Sequence, residues 1–283
     1  MSELGCLYLV ATPIGNLDDM TFRAVKTLEF VDYILAEDTR HSIKLLNHFE
    51  ISKKLVSYHE HNQYTKAESI MVDLRNGKNV GLVTDAGTPG ISDPGSYLVI
   101  LCQEEKIPYT IIPGPVAFVH ALIVSGQNTN RLIFDGFLPM KNKERQKRFK
   151  LLQNETRTII FYEAPHKLKN TLSDLLKAFG PMRSVSLVRE LTKRYEEVLK
   201  FSLGEAVDYY KEHDPRGEYV IILEGISEEV LEEQKVESFK EISLEDQMEI
   251  YLTSGLTKKD AIKQIAVDRN MNKRDVYSHF MNK

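Results

Sequence analysis

Cysteine is scarce in this sequence, and neither sign of charge is in large excess. Cys6 and Cys102 are the only cysteines, too few for a disulfide framework or a cysteine-rich metal site. Their scarcity favours a reducing, intracellular compartment. The 37 Lys and Arg residues against 41 Asp and Glu residues leave a formal net charge of −4. A nucleic acid would therefore have to be bound by local basic patches, because the whole chain has no attractive field for a polyanion.

Long apolar runs are absent as well. No segment approaches the roughly 18 consecutive apolar residues that a membrane-spanning helix needs. The apolar stretch from Leu4 to Ala11 follows Glu3 and has no basic residues before it, so it resembles a first β-strand rather than a signal peptide. We expect a cytoplasmic protein that does not enter a membrane.

The composition is that of a globular protein, with 42% hydrophobic and 28% charged residues. At roughly 100–200 residues per domain, the length suggests about two domains. In residues 1–137, short apolar runs alternate with helical patterns, which predicts strands buried on both faces in a mostly parallel sheet covered by helices. The runs are Leu7–Val10, Tyr33–Ala36, Val80–Val83 and Tyr109–Ile112.

Residues 138–227 are expected to form a second α/β domain with a mixed, more antiparallel sheet. It opens with Lys141–Lys150, where six of ten residues are Lys or Arg, a pattern typical of a solvated linker or of a first helix. A helical pattern over Leu168–Phe179 ends at a Gly-Pro pair. The strand-like runs are Thr158–Tyr162, Ser184–Val188 and Tyr219–Leu223.

The end of the chain has a different pattern. Residues 228–242 contain six Glu and two Lys and predict an acidic connector, either helical or loose. Residues 243–283 predict a small all-α unit of helix-turn-helix type. Its three amphipathic helices are expected at Leu244–Leu252, Lys258–Arg269 and Lys273–Met281.

The turn after the first predicted strand is the first candidate ligand site. Residues Ala11–Leu17 (ATPIGNL) lie where a dinucleotide-binding fold has its glycine-rich turn. The segment contains only Gly15, Pro13 removes a backbone donor, and there is no Walker lysine. It fits a tight strand-to-helix turn and a ligand contact equally well.

Residues Thr84–Gly95 (TDAGTPGISDPG) give a stronger signal, with three Gly and two Pro in twelve residues after a predicted strand. Such a loop exposes backbone groups at the carboxyl end of a sheet, where open α/β folds bind ligands. Asp85 is placed to accept hydrogen bonds from a hydroxyl or an amine. The alternative is a rigid turn without a ligand. Pro113–Ala117 follows a third strand, and three such turns together predict one continuous ligand floor.

Polar clusters follow several of the strands. His59 and His61 are separated by one residue, unlike the i, i+4 pair of a helical zinc site, so we expect no metal there and assign them to polar surface or RNA contact. Each of the other clusters fits an ordinary helix cap or ion pair, although three of them flank strands that would face the same cleft. These clusters are Glu37–His41, Tyr162–Lys167, Arg189–Lys193 and Pro215–Glu218.

Taken together, the motifs resemble the tetrapyrrole methylase superfamily and, within it, the ribosomal RNA small subunit methyltransferase I family. The resemblance spans about residues 5–225 and extends to the helical tail. The Thr84–Gly95 loop is the most specific of the motifs. In chain order the motifs are Ala11–Leu17 (ATPIGNL), Ala36–Arg40 (AEDTR), Thr84–Gly95, Pro113–Pro115 (PGP), Tyr162–His166 (YEAPH) and Arg189–Lys193 (RELTK).

The resemblance implies a two-domain tetrapyrrole-methylase-like α/β fold with a helix-turn-helix-like tail. It also implies a homodimer that binds S-adenosyl-L-methionine between its two domains and needs no metal. The implied reaction is methylation of the ribose 2′-hydroxyl of a decoding-centre cytidine in 16S (small-subunit) ribosomal RNA. Either free RNA or the assembled small subunit can be the substrate.

Candidate site residues follow from the motifs and from this reaction. A ribose hydroxyl is a poor acid, so a base should assist the transfer. Glu163 and Glu190 are the candidate catalytic residues, with Asp85 as a third that can also hold the cofactor. Cofactor contacts are expected from Pro13, Ile14, Gly15, Asn16, Asp85, Gly87, Thr88, Val116, Ala117 and Tyr162. RNA contacts are expected from Arg40, His59, Lys167, Lys193 and Arg216.

Two other functions stay open. Other members of the superfamily methylate corrinoid rings or a modified histidine of a translation factor, and a ring substrate predicts a large apolar pocket with no need for the helical tail. The chain can also be a non-catalytic RNA- or DNA-binding module that binds through its tail. Failure to bind S-adenosylmethionine would favour that second alternative.

Overall fold

The computed structural model describes residues 3–240 and 242–281. Residue 241 of the predicted connector and the outermost residues of the predicted first domain and tail lie outside this range. The chain divides into two compact units. The first consists of Met1–Phe149 and Thr158–Glu224, and the second of Lys150–Arg157 and Gly225–Lys283. Both β-sheets lie in the first unit.

The first sheet is entirely parallel, as the apolar runs predict. Four of its strands coincide with those runs, and the fifth is an additional strand, β3. Its members are β1 (Leu7–Val10), β2 (Tyr33–Ala36), β3 (Lys54–Ser57), β4 (Val80–Val83) and β5 (Tyr109–Ile112).

The strand order of this sheet is β3-β2-β4-β1-β5, so the two outermost strands are β3 and β5. In the register of the central pairs, Leu9 is opposite Leu82 on β4 and Ile111 on β5. The prediction of burial on both faces is wrong for β5, because Tyr109 and Ile111 are 40% and 47% exposed. An outer strand has a neighbour on one side only, so its apolar residues are not all covered.

Helices cover both faces of the first sheet. On one face, Leu9 and Leu82 pack with Met71 and Leu98 from two of the helices. On the other face, Val10 and other strand residues pack with apolar residues of the remaining two helices. The four helices are α1 (Phe22–Phe30), α2 (Thr39–His48), α3 (Gln63–Arg75) and α4 (Ser96–Glu105). Because all the strands are parallel, their carboxyl ends lie at one edge of this three-layer arrangement.

The second sheet has five strands and is mixed, as predicted. The predicted boundary at residue 137 falls at the end of its first strand. Its members are β6 (Leu132–Phe137), β7 (Thr158–Glu163), β8 (Ser184–Arg189), β9 (Glu197–Ser202) and β10 (Tyr219–Leu223). Their order is β6-β7-β10-β8-β9, with only the β6–β7 pair parallel.

Helices also cover the second sheet. Leu122 packs with Ile160, Val220 and Ile222 on one face. The stretch Lys141–Lys150 forms most of a helix, which settles the choice between linker and helix. The helices of this part are α5 (Ala117–Ser125), α6 (Asn142–Leu152), α7 (Pro165–Phe179) and α8 (Leu203–Glu212).

The end of the chain is helical. The acidic stretch forms α9 (Glu228–Lys240), and three helices close to their predicted bounds follow, namely α10 (Leu244–Thr253), α11 (Lys258–Asp268) and α12 (Lys273–Met281). The last three share a separate apolar core that includes Met248, Ile265 and Val276. Within the described residues, no helix is long and apolar enough to cross a membrane.

Candidate functional site

A cavity of about 550 Å³ opens at the carboxyl ends of the first-sheet strands, with one wall built from the second sheet. Its size lies within the roughly 300–1,000 Å³ of small-molecule sites. It is lined by Ile14, Glu37, Asp85, Ala86, Gly87, Thr88, Ile91, Ser92, Asp93, Val116, Ala117, Phe137, Tyr162, Glu163, Ala164, Pro165, His166, Val188, Glu190, Leu191, Lys193, Glu218, Tyr219 and Val220.

Hydrogen bonds hold the three predicted ligand turns together. The backbone N–H of Thr12 donates to the Gly87 carbonyl at 2.8 Å, and the Gly87 N–H donates to the Thr12 carbonyl at 3.1 Å. The Thr88 hydroxyl donates to the Pro115 carbonyl at 3.1 Å. These bonds join the turn after β1, the loop after β4 and the turn after β5 into one surface.

The structure brings seven of the ten predicted cofactor residues to the cavity: Ile14, Asp85, Gly87, Thr88, Val116, Ala117 and Tyr162. The other three, Pro13, Gly15 and Asn16, do not line the cavity. Pro13 is buried, and the Asn16 side chain accepts a hydrogen bond from the Asp18 N–H at 3.1 Å. Gly15 lies so close to the β8–β9 loop that an added Cβ would overlap Lys193 Cγ.

Three carboxylates from the first sheet line the cavity. Glu37 follows β2, Asp85 follows β4, and Asp93 lies further along the same loop. Burial, followed by the nearby charges of Glu37 and Asp85, raises the pKa of Asp93 to about 7. Burial and the charge of Asp85 also raise the pKa of Glu37. Among the described residues, no Lys or Arg forms an ion pair with these three groups, so the cavity carries uncompensated negative charge.

Glu163, the first candidate base, lines the cavity but is only 4% exposed. Its Oε1 accepts a hydrogen bond from the Ala164 N–H at 2.8 Å. Its Oε2 accepts one from the Thr171 hydroxyl at 2.6 Å. Because one oxygen binds the N-cap of α7 and the other binds a residue in its second turn, the geometry favours a role in positioning that helix.

Glu190, the second candidate base, also has bound partners. Its Oε1 accepts from Lys193 Nζ at 3.0 Å and from the Glu218 N–H at 3.2 Å. Burial is the largest single influence and opposes ionisation of this group. The hydrogen bonds from Lys193 and the Glu218 N–H, together with the positive charges of Lys193 and Arg189, outweigh burial and hold the pKa of Glu190 below its usual value. A carboxylate with a lowered pKa is a weak base.

One of the five predicted RNA contacts, Lys193, lines the cavity. The others lie elsewhere. Arg40 is 89% exposed and pairs with Asp38 at 2.7 Å, Lys167 lies in the first turn of α7, and Arg216 is exposed. His59 Nε2 lies 3.1 Å from the side-chain amide of Asn62.

Sequence reasoning did not select fourteen of the lining residues, among them Glu37, Asp93 and Phe137. Glu37 and Asp93 were within recognised motifs, and their position after β2 and in the β4 loop was a usable signal. Phe137 carried no such signal, because its direction depends on a β-bulge in β6. Among the described residues, no group of three or more His, Cys, Asp or Glu side chains is arranged to hold a metal ion.

Comparison with known proteins identifies the family. A model described as Tetrapyrrole (Corrin/Porphyrin) Methylases matches residues 6–207. A Synechocystis protein named ribosomal RNA small subunit methyltransferase I is 46% identical, with 97% of this chain and 96% of that protein covered. Proteins of the same name from Halalkalibacterium halodurans and Bacillus subtilis are 49% and 44% identical, with 98% and 99% of this chain and 94% and 95% of those proteins covered.

Solved structures agree at the level of the fold. Uroporphyrin-III-C-methyltransferase from Thermus thermophilus has a TM-score of 0.56 and 18% identity, covering 77% of this chain and 94% of the other. Cobalt precorrin-4 methyltransferase, a cobalamin biosynthetic enzyme, has a TM-score of 0.58 with the same identity and coverage. The predicted resemblance and fold class are confirmed, and the chain belongs to the tetrapyrrole methylase family, in the branch of the three relatives named above.

Proposed function

We propose that this chain is an S-adenosylmethionine-dependent methyltransferase that modifies the ribose 2′-hydroxyl of a decoding-centre cytidine in 16S (small-subunit) ribosomal RNA. Membership of a methylase family supports the reaction class. The relatives that match nearly the whole chain carry the name ribosomal RNA small subunit methyltransferase I, which supports the substrate. A cytoplasmic location follows from this substrate.

The observation that carries the proposal is the uncompensated negative charge of the cavity. S-adenosylmethionine bears a positive sulfonium and a positive ammonium group, and both are favoured next to carboxylates. Glu37 and Asp93 are half-buried, while Asp85 is exposed. The residues present therefore fit this cofactor, with the two half-buried carboxylates facing its positive charges and the joined turns supplying backbone contacts.

When bound, S-adenosylmethionine supplies a methyl group attached to a sulfonium sulfur. An oxygen nucleophile can attack this methyl group, and the sulfur is the leaving group. The chain contributes mainly by orienting the reactants, which can supply much of the rate acceleration. Lys193, held by Glu190 at 3.0 Å and by Glu218 at 3.3 Å, provides the positive charge in the lining for an RNA phosphate.

The 2′-hydroxyl must lose its proton during transfer. The contacts of Glu163 and Glu190 favour positioning roles for both. Asp85 is the remaining candidate of the three, since its Oδ1 accepts one backbone N–H, from Asp38 at 3.2 Å, and the residue is exposed at the cavity. We therefore assign Asp85 as the base that accepts the proton of the 2′-hydroxyl.

The decisive experiment maps ribose methylation on small-subunit RNA from cells with and without this protein. Loss of one 2′-O-methyl group in the decoding region, restored by the wild-type chain, is the expected result. An unchanged methylation map would contradict the substrate assignment. A corrinoid or histidine substrate would leave the RNA map unchanged and show methylation of that other substrate instead.

Calorimetric titration tests the cofactor separately. The wild-type chain should bind S-adenosylmethionine, and Asp85→Ala should bind it more weakly because the cavity loses one negative charge. Asp18→Ala, a change to an exposed acid of the turn after β1 that does not line the cavity, is the matched control. No binding by the wild type would rule out the proposed enzyme and favour a non-catalytic RNA-binding protein.

We also propose that the chain acts as a homodimer. The outer strand β5 leaves Tyr109 and Ile111 partly uncovered, and Ile123 on α5 is 64% exposed. In the described part of the chain, no strand pairs with the outer edge of β5. Open edges and uncovered apolar residues are features that a second copy can cover.

A further inference from the structure

Phe137 is an aromatic residue that the fold leaves uncovered at the cavity. It ends β6, lines the cavity and is 58% exposed. A phenylalanine with this much exposure forfeits much of the free energy that burial would contribute. Its position therefore calls for a partner with an apolar, flat surface.

A β-bulge directs this side chain. Phe134 is opposite Ile160 on β7, Gly136 is opposite Phe161, and Phe137 is opposite Tyr162. Asp135 is thus an extra residue, and Gly136 adopts a φ of +68°, which costs a glycine little.

The bulge changes the face on which the ring lies. Ile160 and Tyr162 are two residues apart and so share one face of the sheet. Their partners Phe134 and Phe137 lie on this face as well, although a regular strand would put residues three apart on opposite faces. Bulges commonly redirect side chains beside active sites. Asp135, whose side chain is 3% exposed, forms an ion pair with Arg148 of α6, and this pair anchors the bulge.

A row of aromatic rings supports Phe137 from behind. Its ring centroid lies 5.5 Å from that of Tyr162, and the Tyr162 ring lies 5.0 Å from Phe134. Phe134 stacks on Phe118 at 4.3 Å. The Tyr162 hydroxyl accepts a hydrogen bond from the Phe118 N–H at 3.2 Å. Phe137 is therefore held on one side and open on the other.

We propose that Phe137 is the stacking surface for the base of the RNA nucleotide whose ribose is methylated. This inference rests on the proposed function. A nucleobase taken out of its stack needs a replacement surface, and aromatic side chains supply it in single-stranded RNA recognition. Phe137 lies on the second-sheet wall, whereas the carboxylates and turns suited to the cofactor lie on the first sheet. The adenine of the cofactor is the other flat ring available to stack on Phe137, and the experiment distinguishes adenine from the RNA base.

The first arm measures methylation of small ribosomal subunits that lack the modification. Phe137→Ala should lower kcat/KM about 10- to 100-fold, the range expected for loss of one base–aromatic stack, with most of the loss in KM. Phe137→Tyr and Phe137→Trp should retain activity, whereas Phe137→Leu, which is apolar but not flat, should not. Phe22→Ala, at a phenylalanine that is 90% exposed and does not line the cavity, should behave as wild type.

The second arm measures S-adenosylmethionine binding by calorimetry and unfolding by heat. Phe137→Ala should keep both the cofactor affinity and the Tm of the wild type. A loss of cofactor affinity that matches the loss of activity would assign the ring to adenine and overturn the inference. Full activity in Phe137→Ala, or equal losses in Phe22→Ala, would overturn it too. If the wild type itself fails to methylate the subunit, the proposed function fails instead.

Discussion

Asp93 is held in an energetically unfavourable position. Ser92 before it has a φ of +63°, a conformation that costs a residue with a side chain about 1–3 kcal/mol. Burial and two neighbouring carboxylates raise the pKa of Asp93 to about 7. The loop therefore places a carboxyl group beside like charges, where it is easily protonated unless a cation is present.

This pKa predicts a pH-dependent cofactor affinity. A cation favours the ionised carboxylate, so S-adenosylmethionine binding should strengthen as the pH rises through about 7 and then level off, with a slope of at most about tenfold per pH unit for one group. Asp93→Asn should bind more weakly at about pH 8 and lose most of this dependence. Calorimetry across the pH range measures both, and an identical pH profile in Asp93→Asn would contradict the assignment.

The same residue predicts a gain in stability on substitution. Because the pKa of Asp93 is raised in the folded protein, protonation of Asp93 stabilises the fold. This contribution to the free energy of unfolding is complete below the unfolded-state pKa. It is lost as the pH rises through about 7. Asp93→Asn should therefore raise Tm at about pH 8 by about 2–4 °C per kcal/mol recovered, and by less at about pH 5. An equal gain at both pH values, measured by thermal unfolding, would contradict this explanation.

At the level of elements, the sequence predicts the central strands well and the outer ones poorly. Strands β2, β4 and β10 are buried along their whole length, so their sequences are continuous apolar runs. The missed strands β3, β6 and β9 are all outer strands. They contain Lys, Asp, Gly or Glu because one side faces solvent or carries a bulge, and local pattern alone does not identify such strands.

The candidate site also has features that the sequence predicts and features that it does not. The placement of residues at the ends of strands could be predicted, since the turns after β1, β4 and β5 meet as expected. The directions in which the side chains point could not be predicted from the sequence. Glu163 accepts a hydrogen bond from the Thr171 hydroxyl in the next element, and Glu190 accepts one from the N–H of Glu218, 28 residues away. Neither contact follows from the local sequence pattern, and the bulge at Gly136 has no reliable local signature.

Helix α6 predicts a phosphate-binding face. Lys143, Lys147 and Lys150 are exposed and spaced four and three residues apart, which puts them on one side of a helix. Arg145 instead pairs with Asp174 at 2.6 Å. If each lysine contacts a phosphate, Lys147→Gln should lower the salt dependence of RNA affinity by about one unit of slope.

RNA binding by the wild type and by Lys147→Gln, measured across a series of salt concentrations, tests this prediction. Lys26→Gln is the matched control, because Lys26 is an exposed lysine on α1, a helix of the first sheet. Equal slopes for Lys147→Gln and the wild type would mean that this face of α6 is merely solvated.

For the whole molecule, the open edge of β5 predicts self-association. Light scattering should return about twice the single-chain mass of 32.5 kDa, since oligomers most often form by two-fold symmetry. Ile111→Lys should shift the protein toward the monomer, because a lysine on an outer strand opposes edge pairing. Met182→Lys, at a residue 86% exposed, should not. A wild-type mass near 32.5 kDa would refute the dimer.

The helical tail predicts a separable contribution to substrate binding. Residues 243–281 have their own apolar core, so deleting residues 243–283 removes that core together with its helices. We expect the shortened chain to keep its affinity for S-adenosylmethionine and to methylate the small subunit more slowly. Lys258, Lys259, Lys273 and Arg274 are exposed and are the candidate phosphate contacts of the tail. Methylation at the full-length rate would remove the tail from RNA recognition.

The charge of the cavity also bears on turnover. If S-adenosylmethionine binds here as proposed, methyl transfer would convert its cationic sulfonium into a neutral thioether. The spent molecule would keep its ammonium group but lose one of its two attractions to Glu37, Asp85 and Asp93. The carboxylates would thus bind the used methyl donor less tightly than the fresh one, because the reaction itself removes one positive charge. The same groups that would recruit the cofactor would therefore hold its by-product less tightly, and product release would be faster than release of the unreacted cofactor.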